Sequence, residues 1–235
     1  MNYKIIKEEE KLKEFIDWLP ELKDGEKFYV DLFARKKYDN SGILKADKNQ
    51  LKRFVSDKSR LLSKIKQLEV EFGTYQFNGN PITEDTLALY INPNPRSTHK
   101  ASLEVMSEIC KRLKKGEIIY NPHSISLNAL QTTASRKIYF DIDIDFKEGR
   151  SCSLEYLHNF MKDKVNPEAI INNIIQTRGG FHILVELDKI NTEYKKYWYK
   201  NFSEAKDETF NIMMNSDNLV PIPGCTQGNF VPKIW

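Results

Sequence analysis

The sequence predicts an α+β protein, and two observations support that fold class. Apolar residues recur at helical spacing in some segments, whereas other, shorter segments are rich in β-branched and aromatic residues. The chain has 235 residues, of which 40% are hydrophobic and 29% charged, which is typical of globular proteins. This length suits one large domain or two small ones. We expect a single domain over residues 1–235.

The first half is predicted to form an N-terminal α/β subregion over residues 1–120. A first helix carries an apolar stripe at spacings of three and four and ends before Pro20. The elements that follow are a strand over residues 27–34, a helix over 48–68, a strand over 86–91 and a helix that Ser97 or Thr98 caps. One face of this last helix carries Leu103, Met106, Cys110 and Leu113.

The second half, residues 121–235, is predicted to form a mixed sheet with flanking helices. Its elements are a strand over 137–144, a helix over 154–165, a buried strand or helix end over 170–176, a strand over 181–187, an aromatic-rich helix over 192–214, and short strands over 219–222 and 229–234. Strands and helices in this order give the α+β assignment.

Charge and cysteine content exclude several classes of protein. The net charge of +3, from 36 basic and 33 acidic residues, excludes a histone-like basic clamp but allows a local basic groove. Cys110, Cys152 and Cys225 are scattered, so we expect neither a disulfide framework nor a zinc site. The charged N-terminal residues resemble no signal peptide, and no apolar run is long enough for a bilayer, so we expect a cytoplasmic protein.

Three aspartates alternate along the strand that begins near residue 137. Because side chains of a strand alternate between its faces, Asp141, Asp143 and Asp145 share one face. Neighbouring carboxylates repel each other unless a cation lies between them, and Mg²⁺ prefers carboxylate oxygens. The pattern therefore indicates a metal site. An open, solvated strand face remains the alternative interpretation.

A glycine-rich turn, Thr177–Arg178–Gly179–Gly180, leads into the strand that carries His182. Paired glycines allow close approach of a ligand, and arginine and histidine can donate to phosphate oxygens. An ordinary glycine hairpin followed by a strand histidine is the alternative. Further along, Asp217 precedes a short apolar strand and a Pro-Gly turn, where it could complete a carboxylate set or end a turn.

Together, in this order, the three segments resemble the motifs of the archaeo-eukaryotic primase superfamily, in its phage or plasmid primase-polymerase type. The first motif of that family is DxD on an apolar strand, here Asp141 and Asp143. The second is a Ser/Thr-Gly-rich turn that ends at a strand histidine, here His182, and the third is an aspartate before a Pro-Gly turn, here Asp217. The resemblance covers roughly the last hundred residues and implies an RRM-like mixed-sheet core.

The resemblance implies a DNA primase or primase-polymerase, a nucleotidyltransferase that makes or extends primers on single-stranded DNA with nucleoside triphosphates. Two Mg²⁺ or Mn²⁺ ions, held by Asp141, Asp143 and Asp217, would serve as cofactors, and no zinc is expected. Asp145 would be a supporting carboxylate. The triphosphate would be bound by Thr177, Arg178, Gly179, Gly180 and His182.

A template strand requires a basic track, and the candidates are Arg35, Lys36, Lys37, Arg96 and Lys100. A separate helicase or replication partner is expected, and no membrane. Two departures from the family pattern favour a second hypothesis, a catalytically silent nucleic-acid-binding module: Arg178 precedes both glycines, and Pro221 stands where a basic residue is common. A metal-dependent nuclease that uses the same aspartates is the third hypothesis.

Overall fold

A computed structural model describes residues 1–164 and 172–235, which contain six α-helices and three antiparallel sheets. The helices are α1 (Glu9–Trp18), α2 (Leu61–Lys66), α3 (Thr98–Lys114), α4 (Pro122–Thr132), α5 (Leu154–Lys164) and α6 (Trp198–Glu204). The strands are β1 (Glu26–Arg35), β2 (Lys48–Ser56), β3 (Gln76–Phe77), β4 (Asn80–Pro81), β5 (Leu87–Ile91), β6 (Arg96–Ser97), β7 (Tyr139–Phe146), β8 (Asn172–Thr177), β9 (Gly180–Glu186), β10 (Phe210–Asn215), β11 (Val220–Pro221) and β12 (Lys233–Ile234). The chain is therefore an α+β protein.

The first sheet has the strand order β11-β5-β1-β2, with β6 paired to the start of β1. One face of β1 and β5 is apolar and packs with α1 and α2 in a core that includes Phe28, Val30 and Leu32. On the opposite face, Phe33, Tyr38 and Tyr90 form a smaller buried cluster. Polar and charged residues of this second face, among them Arg35, lie beside that cluster.

The second sheet has the strand order β10-β7-β9-β8-β12. Along the chain its first four strands and two helices follow one another as β7-α5-β8-β9-α6-β10. Both helices cover the same face of the sheet, because Leu157 of α5 and Phe202 of α6 share a core with Ile142 and Ile183. The other face of β7 is left for polar residues and for contact with the first sheet.

The two sheets join through apolar residues on that other face. Tyr139, Ile175 and Leu184 of the second sheet belong to the same core as α1 and the first sheet. The ring of Trp18 stacks on Tyr139 with the centroids 4.9 Å apart. The predicted boundary at residue 120 does not separate the sheets, because β11 from the C-terminal part completes the first sheet.

Two predicted helices were wrong. The helix predicted over residues 48–68 is β2 followed by the short α2, because residues 48–56 pair in register with β1. The helix predicted over 192–214 contains only α6, and its last part is β10, which pairs with β7. Val165 and residues 170–171 of two other predicted elements lie outside the described residues.

The other predicted helices and central strands are confirmed, with two differences. All strand pairs in the described residues are antiparallel, so the predicted mixed sheet was wrong. Ser97 caps α3 by accepting from the amide of Lys100, as predicted. The apolar stripe of α3 is nevertheless exposed, with Met106 64% and Leu113 52% accessible.

Among residues 1–164 and 172–235, no helix has the length and hydropathy that crossing a bilayer requires.

Gly180 is required by the close approach of β9 to β7. It is the register partner of Asp145, and a Cβ at this position would lie 1.7 Å from the carbonyl oxygen of Ile144. A Cβ at Gly179 would meet nothing within 4 Å. The two glycines therefore differ in function: Gly180 permits strand pairing, and only Gly179 leaves open space beside the backbone.

We predict that Gly180→Ala lowers the melting temperature strongly, because β9 must move away from β7, whereas Gly179→Ala changes it little. Thermal unfolding followed by circular dichroism measures both, and Gly179→Ala is the matched control. Equal melting temperatures for the two variants would contradict the backbone contact described here.

Candidate functional site

Strand β7 separates its residues into an apolar and an acidic face. Ile142 and Ile144 are fully buried in the core beneath α5 and α6. Asp141, Asp143 and Asp145 alternate with them and therefore project to the opposite side, as the sequence predicts. The core holds the strand in position, so the carboxylates are fixed on a packed element rather than on a loop.

Asp141 is the most enclosed of the three, with 3% of the residue exposed. One carboxylate oxygen lies 2.9 Å from His182 Nδ1 on β9, and the other accepts a hydrogen bond of 2.9 Å from the side-chain amide of Asn218. Both oxygens of this buried carboxylate therefore have partners, which offsets the cost of removing it from water.

His182 lies between two carboxylates, since its Nε2 is 3.8 Å from an oxygen of Asp143, its register partner. Burial disfavours the charged ring, but Asp141, through its charge and hydrogen bond, and then Asp143 outweigh burial and raise the pKa of His182 to about 9. At neutral pH the ring is thus an imidazolium that donates from Nδ1 to Asp141.

For Asp143, burial has a larger effect on the pKa than the opposite charge of His182. Burial raises its pKa, His182 counteracts this, and the charges of Asp145 and Asp141 add to the rise, so that the pKa of Asp143 is about 6. A carboxylate held at this cost, next to two others on one strand face, is electrostatically favourable only when a cation is near.

A cleft of about 200 Å³ lies in front of these carboxylates. One side is formed by the second sheet and comprises Asp143, Asp145 and His182, which we call the acidic wall. The side contributed by β1, β2 and the turn after β1 comprises Arg35, Lys37 and Lys48, which we call the basic wall. Thr177 and Gly179 of the glycine-rich turn also line the cleft.

Asp217 does not lie with Asp141. Its two carboxylate oxygens accept hydrogen bonds of 2.6 and 2.8 Å from the guanidinium of Arg96, which is fully buried. Arg96 also donates to the backbone oxygens of Asn94 and Gln131. A buried guanidinium requires such an anion, so Asp217 is occupied by Arg96, and the residue of this segment that reaches Asp141 is Asn218.

In the glycine-rich turn, Arg178 does not line the cleft. Its guanidinium lies 4.3 Å from the ring centroid of Tyr38 and donates to the backbone oxygen of Gly228. Arg178 is exposed, and the contact that the structure gives its guanidinium is with the C-terminal turn. His182 is likewise bound to Asp141, whereas Thr177 and Gly179 remain beside the cleft.

The residues predicted to contact a template fall into three groups. Arg96 is fully buried and bound to Asp217, so it presents no exposed surface to a template. Lys100 is exposed, and its ammonium donates to the carbonyls of Ala134 and Ser135. Arg35 and Lys37 line the cleft itself, and Lys36, although exposed, does not.

Sequence reasoning missed Asn218 and Lys48. Asn218 is adjacent to Asp217, and only the course of the backbone decides which of the two side chains faces Asp141. Lys48 was placed in a helix, where it would not be paired with Arg35. The only available signal was the dense basic composition around residues 35–52.

The donor set of the cleft suits a hard divalent cation that retains water ligands. The described residues contain no group of three or more His, Cys, Asp or Glu side chains arranged to hold a metal. They do present Asp143 and Asp145 at the cleft with Asp141 behind them. One or two carboxylates are sufficient for Mg²⁺ when substrate phosphates supply further ligands.

Comparison of the chain with protein-family models, with curated proteins and with solved structures returned no match. The three comparisons therefore assign it to no family.

We predict that Asp217→Asn lowers the free energy of unfolding by about 3–5 kcal/mol, because it leaves the buried Arg96 without its anion. Urea denaturation measures this, with Asp24→Asn, in an exposed turn, as the matched control. Unchanged stability together with lost nucleotide incorporation would instead indicate that Asp217 binds a metal.

We predict that Asp143→Asn stabilises the protein at pH 8 in the presence of a chelator. The folded carboxyl has a pKa of about 6 against an ordinary value of 3.8, so folding binds protons between these pH values and stability falls as pH rises through them. The Asp143→Asn variant avoids this loss, so its free energy of unfolding should exceed that of wild type by on the order of 2–3 kcal/mol at pH 8. Below pH 4, where the wild-type carboxyl is protonated, the two proteins should be equally stable. Urea denaturation at both pH values is the measurement, and a variant less stable than wild type at pH 8 would contradict it.

Proposed function

We propose that the protein is a template-dependent nucleotidyltransferase of the primase-polymerase type, which makes or extends primers on single-stranded DNA. The observation that carries this proposal is the cleft in which the aspartates of β7 and His182 of β9 face the basic wall. Carboxylates that can bind Mg²⁺ or Mn²⁺, opposite cations that can bind phosphate, are what transfer of a nucleotidyl group requires.

The topology of the second sheet supports the proposal. Its order along the chain, β7-α5-β8-β9-α6-β10, and its spatial order, β10-β7-β9-β8, are those of an RRM-like core. We infer that this sheet is the RRM-like core implied by the sequence motifs. Asp141 and Asp143 then lie on its first strand and His182 on its third, adjacent in the sheet.

The residues of the chain would divide the chemistry as follows. Asp141 and Asp143 would hold the divalent ions, which supply Lewis-acid stabilisation of the attacking and leaving oxygens when bound. His182 positions Asp141 through Nδ1 and balances its charge. Asn218 holds the second oxygen of Asp141, so the carboxylate plane is fixed before substrate arrives.

Thr177 and Gly179 lie at the edge of the cleft, where a hydroxyl and a backbone amide can donate to a bound phosphate. Asp145 lies one alternation further along β7 and would support the metal-bound water shell. Lys36 and Lys100 are the exposed cations still proposed for the template. Separate replication partners, such as a helicase, stay part of the proposal.

A second candidate is a catalytically silent nucleic-acid-binding module with the same fold. Two observations favour it: Asp217 is bound to Arg96, and both oxygens of Asp141 accept hydrogen bonds from protein groups. A nuclease is less favoured, because the basic wall lies within the small cleft rather than along an open groove.

The deciding experiment is primer synthesis and extension on single-stranded DNA with Mg²⁺ or Mn²⁺ and with ribo- or deoxynucleoside triphosphates. We predict that Asp141→Asn and Asp143→Asn each lower incorporation at least a hundredfold, whereas Asp24→Asn retains it. Activity that persists in both aspartate variants would exclude the proposed metal site. DNA binding without incorporation by the wild-type protein would support the silent module, and degradation of DNA without triphosphates would support the nuclease.

A further inference from the structure

The basic wall is separate from the residues that the sequence motifs nominate for phosphate binding. Arg178 donates to Gly228 and lies over Tyr38, and His182 is bound to Asp141. Arg178 does not line the cleft, and Nδ1 of His182 is already bound to Asp141. The cations that line the cleft without being bound to the acidic wall are Arg35, Lys37 and Lys48, all from the first sheet and the turn that follows β1.

We propose that Arg35, Lys37 and Lys48 form a binding site for the polyphosphate chain of a nucleoside triphosphate. The inference rests on the proposed function, because it assigns the substrate's phosphates to the side of the cleft opposite the metal-binding carboxylates. It differs from the sequence expectation, which placed Arg35 and Lys37 on a template track and overlooked Lys48.

Arg35 has an unused donor at this site. Its guanidinium donates to the Tyr90 hydroxyl and, over 2.8 Å, to Asp47, yet its Nε is buried and has no acceptor among the described residues. Only 7% of Arg35 is exposed. A buried donor without a partner costs free energy, and a phosphate oxygen in the adjoining cleft would supply the missing acceptor once the Arg35 side chain turns toward it.

The position of the two lysines supports the same ligand. Lys48 pairs with Arg35 in the register of β1 and β2, so their side chains enter the cleft from neighbouring strands. The pKa of Lys37 is lowered, first by partial desolvation and then by the charge of Arg35, while the charges of Asp145, Asp47 and Asp143 counteract this. Three cations held this close repel one another, and a multiply charged anion relieves that repulsion.

The size of the cleft selects a polyphosphate rather than a nucleic-acid strand. Its volume of about 200 Å³ is below the roughly 300–1,000 Å³ of pockets that enclose whole ligands. It therefore accommodates the phosphate tail while the nucleoside projects outward. A strand backbone would need an extended groove along which several nucleotides could lie.

The test measures binding of inorganic tripolyphosphate in a chelator, by displacement of a fluorescent nucleoside triphosphate. Lys37→Gln and Lys48→Gln are expected to weaken binding roughly three- to tenfold each, since each removes one charge-assisted contact. Lys45→Gln, which removes an exposed cation of the same segment that does not line the cleft, is the matched control and should bind as wild type does. Added salt should weaken the wild-type interaction.

The outcomes separate this inference from the proposed function. Equal binding of tripolyphosphate by wild type, Lys37→Gln and Lys48→Gln would overturn the inference. It would also be overturned if these two variants lost binding to single-stranded DNA but bound tripolyphosphate as wild type does. If the wild type incorporates nucleotides in an Asp141-dependent manner but does not bind tripolyphosphate, the inference fails and the proposed function stands. Lysine-dependent tripolyphosphate binding without any incorporation would support the site and count against the polymerase.

Discussion

Asp141 and His182 form an ion pair between β7 and β9, and the arrangement of the site depends on it. Removing each ion from water costs several kcal/mol, and a buried pair recovers this only when the remaining donors and acceptors are satisfied. Here the side-chain amide of Asn218 donates to the second carboxylate oxygen of Asp141, and Asp143 lies on the other side of the imidazolium. Through Asn218, the segment that follows β10 is thereby connected to β7 and β9 of the second sheet.

The same pair fixes the register of the second sheet. A slip of β7 by one residue would turn Asp141, Asp143 and Asp145 into the core that α5 and α6 cover, and Ile142 and Ile144 into the cleft. Both changes are unfavourable, and burial of the three carboxylates in the apolar core costs far more than exposure of the two isoleucines. The apolar core and the polar site therefore specify a single register, and the close approach at Gly180 is compatible only with it.

The sequence was informative where one periodicity dominated a segment. The alternation in β7 and the apolar run of β9 predict both strands, and the face shared by the aspartates follows directly. Residues 48–68 were misassigned because Leu51, Phe54 and Leu62 fit helical spacing, whereas pairing with β1 determines the actual structure. Residues 210–215 were misassigned for the same reason, since strand β10 exists only as the partner of β7.

Of the candidate site, the sequence could predict the carboxylate side but not the arrangement of the residues that face it. The carboxylates of the acidic wall lie on a single strand, so local spacing reveals them, but Asn218, Lys48 and Arg35 reach the cleft through contacts between distant segments. The two walls come from different sheets, and these sheets are held together by the packing of Tyr139, Ile175 and Leu184 against the core around α1. Neither sheet alone presents both carboxylates and a set of three cations. The near-neutral total charge of the chain thus arises partly from opposed local charges, which the docking of the two sheets brings to face each other across one cleft.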